Sequence, residues 1–238
     1  MDRSILTRPA PEPDRTLRYG DGPDHLADAW LPSSEGKPLV LFVHGGFWSP
    51  EYDRTHTRVL CAALRDEGWP VAAIEYRRTS GRPEHYTEDL RAALSRVPQQ
   101  MPGAGTVLMG HSAGGHLALW AASTVNDLIG TIALAPVADL GLAHEQRLGD
   151  GAVAEFLGGP PSARPDLDPV LLSDPANPVV LVHGAADTGV PVSQSVSYVD
   201  AHPMAKLLAL PGIAHFELID PASEAWPSVL AELEGIDR

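Results

Sequence analysis

The sequence predicts an α/β fold, a mostly parallel central sheet flanked by helices, on three observations. Continuous apolar runs closed by glycines, such as Leu39 to Val43 in "KPLVLFVHGG", read as strands buried on both faces. These runs alternate with stretches of helical apolar spacing, and parallel neighbours need such crossovers. Finally, 238 residues of which 44% are hydrophobic suffice for one sizeable core. Residues 1–238 therefore read as one domain, with the proline-rich stretch 1–15 expected as a flexible arm.

Each element follows in order. "TLRYGDGPDHLADAWLP" holds turn residues between two short segments, which fits a hairpin at a sheet edge. After the strand Leu39 to Val43, a helix is expected from Tyr52 to Glu67, then a buried strand in "WPVAAIEYR". "RPEHYTEDLRAALSRV" has helical spacing with Pro83 near its start, where a missing N–H costs nothing. "GTVLMGHS" is the next strand, "AGGHLALWAAST" the helix that leaves it, and "LIGTIALAP" a further strand. Between 139 and 176 the rhythm breaks into a segment rich in Gly, Pro and Asp, with one or two short helices expected. A segment of this length is either a lid over a site or a surface excursion. "PVVLVHGAAD" and "AKLLALPG" resume the sheet, and Pro221 to Leu233 closes as a helix.

The charge balance narrows the partners. With 31 acidic against 17 basic residues the net charge is −14, which disfavours nucleic acid and anionic membrane, since both reward a positive face. A small-molecule substrate is the expected partner. Charges and prolines in "MDRSILTRPAPEPDR" replace the apolar stretch of a signal peptide, so cytoplasmic residence is expected. The single cysteine, Cys61, reads as a small buried hydrophobe. No paired-ligand spacing such as H-x-x-x-H accompanies the acidic residues, so neither metal nor cofactor is expected.

Chemistry concentrates at "VLMGHSAGGHLALW", where Ser112 stands between Gly110 and Gly114 at a strand-to-helix junction. Small residues there permit a sharp turn that exposes the serine, and the N–H of Ala113 at the helix start points to where negative charge would develop. Serine is a weak nucleophile and needs a base and an orienting acid. Asp187 follows the buried strand Val179 to Val182, and His215 follows the strand Leu207 to Leu210; both lie where strands of such a sheet end and sites form. Asp139 and Asp174 are the rival acids, and His111, His116, His183 and His202 the rival bases. "FVHGGFW" adds Gly45 and Gly46 after an earlier strand, so N–H groups around Gly46 and Phe47 can join that of Ala113. Trp48 is expected beneath this loop, with substrate contact as the alternative.

Together these residues resemble the α/β-hydrolase superfamily over nearly the whole chain. "HGGFW" at 44–48, "GHSAGGHLA" at 110–118 and "HF" at 215–216 are similar to the kynurenine formamidase (arylformamidase) group and to small esterases that share the H-G-G-x-W form. The resemblance implies an α/β-hydrolase fold, a Ser112, Asp187, His215 triad, and oxyanion donors around Gly45, Gly46, Phe47 and Ala113. It also implies hydrolysis of an N-formyl aryl amide such as N-formylkynurenine, with short esters as the alternative. A hydrolase-fold receptor without chemistry is the rival of another class.

Overall fold

The computed structural model describes residues 2–34 and 36–236. Its centre is one sheet of eight strands: β1 (Arg15–Arg18), β2 (Leu26–Trp30), β3 (Leu39–Val43), β4 (Val71–Ile74), β5 (Thr106–His111), β6 (Gly130–Leu134), β7 (Val179–Gly184) and β8 (Lys206–Leu210). The spatial order is β1-β2-β4-β3-β5-β6-β7-β8. β1 and β2 form the expected antiparallel edge hairpin, and every pairing from β4 onward through β8 is parallel.

The apolar runs are continuous because both faces of the sheet are covered. Leu39, Leu41 and Val43 point into a layer formed with α2 (Pro83–Arg96) and α3 (Ala113–Thr124), whereas Val40 and Phe42 point into a layer with α1 (Arg58–Asp66) and the C-terminal helix. α6 (Ser193–Ala201) adds Tyr198 to a third, smaller cluster with Leu119 and Leu181.

Two helix starts differ from the sequence reading, for the same reason. The expected helix from Tyr52 begins as a 3-10 turn, Arg54–Thr57, followed by α1, because the Asp53 side chain accepts from Thr55 N at 2.9 Å and fixes a turn. The last helix, α7, runs Trp226–Ile236 rather than from Pro221. Asp220 Oδ1 accepts from Ala222 N at 2.9 Å, and Ser223 Oγ donates to the Glu217 carbonyl, so 220–225 is turn.

The segment 139–176 holds two short helices, α4 (Leu140–Glu145) and α5 (Ala152–Leu157), and a series of 3-10 turns. It is no loose excursion: Leu140, Val153, Phe156 and Leu167 are buried in the α2/α3 layer. The N-terminal segment differs from the flexible arm expected of it. Ser4–Thr7 form a 3-10 turn that buries Ile5, at 3% exposure, in the α1/α7 layer. Arg8 then clamps it with two bonds to Asp220, at 2.6 and 2.8 Å.

Among the described residues no helix is long and apolar enough to cross a membrane. None of their His, Cys, Asp and Glu side chains form a group of three or more that could hold a metal ion.

Candidate active site

Three turns at the carboxyl ends of the parallel strands β5, β7 and β8 converge on one cavity. The first is the turn between β5 and α3, where Ser112 has φ 57° and ψ −119°, a conformation that costs a non-glycine residue strain. Neighbouring glycines make it possible. A Cβ on Gly110 would stand 2.2 Å from the Gly114 carbonyl oxygen, and one on Gly114 would stand 2.1 Å from that of Val43. The turn is further pinned by Ser112 N donating to the Leu134 carbonyl at 2.8 Å.

The second turn leaves β7 and carries Asp187. Its Oδ1 accepts from Gly189 N at 2.8 Å and Val190 N at 2.9 Å, which leaves Oδ2 for His215 Nδ1 at 2.5 Å. Burial raises the carboxyl's pKa, but hydrogen bonds from His215, Val190 and Gly189 outweigh it and hold the group below its ordinary range. The third turn leaves β8 and carries His215, buried at 5% exposure. With Nδ1–H donated to Asp187, Nε2 is the nitrogen free to accept a proton, and His215 and Ser112 line the same cavity.

The rival residues all have other partners. Asp139 accepts from Leu142 N at 2.7 Å and caps α4, and Asp174 pairs with His202 Nδ1 at 2.8 Å. His116 donates Nε2–H to the Leu167 carbonyl at 2.9 Å. His183 donates Nε2–H to the Val190 carbonyl at 2.8 Å, and so supports the Asp187 turn. His111 donates to the carbonyl of His215 at 3.1 Å, tying the His215 backbone to the turn that carries Ser112.

Beside the turn that carries Ser112 lies the loop after β3. Gly46, Phe47 and Trp48 all have positive φ, at 113°, 49° and 58°. The backbone N–H groups of Gly46, Phe47 and Ala113 donate to no carbonyl among the described residues, and the first N–H of a helix has no intrahelical partner. Gly46 and Phe47 line the cavity. Gly45 has a different part: a Cβ there would meet the His111 carbonyl oxygen at 2.7 Å, so it lets the loop press against the turn that carries Ser112.

Trp48 does not line the cavity. Its ring stacks on Phe156 with centroids 4.5 Å apart and an 11° interplanar angle, and it is 3% exposed. The strained loop puts this side chain into the core and turns Phe47 to the cavity.

Sequence reasoning missed what holds the loop. His44 donates Nδ1–H to the Gly45 carbonyl at 2.8 Å, lies 3.1 Å from Glu75 Oε1 through Nε2, and stacks on Tyr76 at 4.4 Å. Tyr76 OH donates back to the His44 carbonyl at 2.8 Å. Burial would raise the pKa of Glu75, but His44, Arg78 and the N–H of Arg54 bring it down to about 2. "EYR" directly after β4 was the available signal, though nothing local ties it to "HGG".

The cavity has a volume of about 290 Å³, at the small end of the range for ligand sites. Phe47, Tyr52 and Phe216 give it an apolar wall, and Arg3 and Leu6 of the N-terminal segment complete it. His56 adds a polar edge; burial lowers its pKa to about 4, so it is neutral at pH 7.

This geometry accompanies likeness to known proteins. A family model described as BD-FAE matches residues 27–132. Esterase LipC of Mycobacterium tuberculosis is 26% identical over 247 residues, a match covering 87% of this chain and 61% of that protein. Kynurenine formamidase of Danio rerio is 34% identical over 110 residues, covering 44% of this chain and 37% of the formamidase. Among solved structures, Esterase B from Lactobacillus rhamnosis superposes with a TM-score of 0.77 at 20% identity, covering 99% of this chain and 90% of that one. A truncated form of a carbohydrate esterase from gut microbiota gives 0.77 at 17%, covering 95% and 99%. The chain thus spans about three-fifths of the first of these sequence relatives and little more than a third of the second.

Proposed function

We propose that this chain, which belongs to the α/β-hydrolase superfamily and shares its fold, is a serine hydrolase that cleaves a small ester or aryl formamide through an acyl-enzyme. The observation that carries the reading is the buried 2.5 Å bond between Asp187 and His215, beside a serine held at positive φ in the same cavity. In the proposed reaction His215 Nε2 takes the proton of Ser112 as Oγ attacks the carbonyl carbon. Asp187 holds the tautomer and stabilises the imidazolium. The developing oxyanion accepts from the N–H of Ala113 and from those of Gly46 and Phe47. The carbon–oxygen or carbon–nitrogen bond then breaks, and the leaving group departs with the proton from His215. Water repeats the cycle on the acyl-enzyme, releasing the acid and restoring Ser112. No step calls for a cofactor.

Ester cleavage is supported by the esterase match over 87% of the chain; formamide cleavage is supported by the higher identity, 34%, of a match over 44%. A small cavity suits either a formyl or a short acyl group. Turnover of N-formylkynurenine against short 4-nitrophenyl esters decides between them. Hydrolysis of the esters with the formamide untouched removes the formamidase reading. Failure of a fluorophosphonate to label the folded protein at Ser112 removes the hydrolase reading and favours a receptor. The proposed setting is the cytoplasm, consistent with one buried thiol at Cys61; the −14 charge supports a small-molecule partner over nucleic acid.

A further inference from the structure

Among the described residues that line the cavity, Arg3 is the one permanent cation. The Arg3 guanidinium lies over the Phe216 ring, 5.7 Å from its centroid, and the Phe216 ring in turn lies 5.0 Å from that of His215. In the reaction proposed above, His215 delivers its proton to the leaving group, which therefore sits between the imidazole and this end of the cavity. The Arg3 side chain forms no hydrogen bond or ion pair among the described residues, whereas other arginines of the chain, such as Arg8, Arg54, Arg58 and Arg77, pair with acids. Its neighbour Asp2 is occupied elsewhere, accepting from Ser4 N at 2.8 Å and Ser4 Oγ at 3.1 Å. The turn that follows Arg3 is held by buried Ile5 and by the Arg8–Asp220 clamp, which places the exposed Arg3 at the rim of the cavity. In a chain of net charge −14 the surrounding field repels anions, and an unpaired guanidinium in a largely apolar wall offsets that repulsion locally.

We infer that Arg3 is a specificity-determining residue that selects substrates whose leaving group bears a carboxylate, an inference that rests on the hydrolase reading for the direction of the leaving group. A matched pair tests it: 4-acetoxybenzoate, whose leaving group is anionic, and its neutral methyl ester. Arg3→Met keeps an apolar stem over Phe216 and should lower the ratio of kcat/KM for the anion to that for the neutral ester about fivefold, the upper end for an exposed charge pair. Arg3→Lys should retain most of the preference. Added salt should lower the ratio in the unaltered protein and leave it flat in Arg3→Met. An unchanged ratio in Arg3→Met, with turnover of the neutral ester retained, overturns the inference. Should neither ester be cleaved, the hydrolase reading fails separately, and calorimetric titration decides for Arg3. A roughly fivefold loss of affinity for 4-hydroxybenzoate in Arg3→Met, with its methyl ester unaffected, supports the carboxylate site, and equal affinities overturn it.

Discussion

Two regions fall outside the strand–helix rhythm, the long segment 139–176 and the short stretch before Pro9, and they relate to the cavity in opposite ways. The long one packs into the α2/α3 layer, and no residue of it lines the cavity; it touches the wall at Gly149, whose added Cβ would stand 2.9 Å from the Phe47 ring. The short one supplies Arg3 and Leu6 to the wall itself. Length is a poor guide to which connection serves a site. What decides is where a segment packs, and here Ile5 and Leu6 join the α1/α7 layer that also holds Phe216.

This contrast can be broken or sharpened by experiment. Ser112→Ala sets the scale for both regions: activity should fall by about 10⁴-fold or more and fluorophosphonate labelling should vanish, with thermal stability retained. A variant that keeps its activity would detach both regions from any chemistry. Leu167→Ala, in the long segment at 2% exposure, should cost about 2–5 kcal/mol in denaturant unfolding while KM for a small ester stays within about twofold. A large KM change would give that segment a part in binding.

Acid should loosen the same segment through His116. Burial lowers its pKa to about 4, and its Nε2–H is bonded to the Leu167 carbonyl. A histidine depressed in the folded state binds fewer protons there than in the unfolded chain. Stability therefore falls as pH drops from about 6.5 toward about 4, and is unaffected above that window. Urea midpoints across this range should fall less steeply in His116→Gln; identical slopes would remove His116 from the account.

The smallest effect belongs to the strap. Arg8→Ala breaks a partly exposed pair and should cost about 1 kcal/mol or less, yet it should raise KM severalfold because the wall loses its anchor. Unchanged KM would mean that the strap covers the cavity without shaping it.

How much of this was legible depends on the range of the interaction. Ser112, Asp187 and His215 could be picked out because each sits in a turn directly after a buried strand, and strand, glycine and turn are written within a few neighbouring residues. The two helix starts were misread because Asp53 and Asp220 impose turn geometry that apolar spacing does not register. The His44–Glu75 contact was invisible since it joins two loops 31 positions apart that meet only when β3 and β4 pair. The N-terminal stretch read as a loose arm because its prolines and charges are those of an unstructured segment.

The sequence by itself determined the parallel sheet, its burial on both faces, and the identity of the three turns that could carry a nucleophile, an acid and a base. Periodicity and turn chemistry are local, so they survive in a bare string of residues. Only the tertiary structure decided that Trp48 belongs to the core, that the long segment is scaffold, and that Arg3 stands in the cavity wall. Those outcomes rest on contacts such as Arg8 to Asp220, 212 positions apart, which exist only once the whole sheet has closed the distance between the chain's ends.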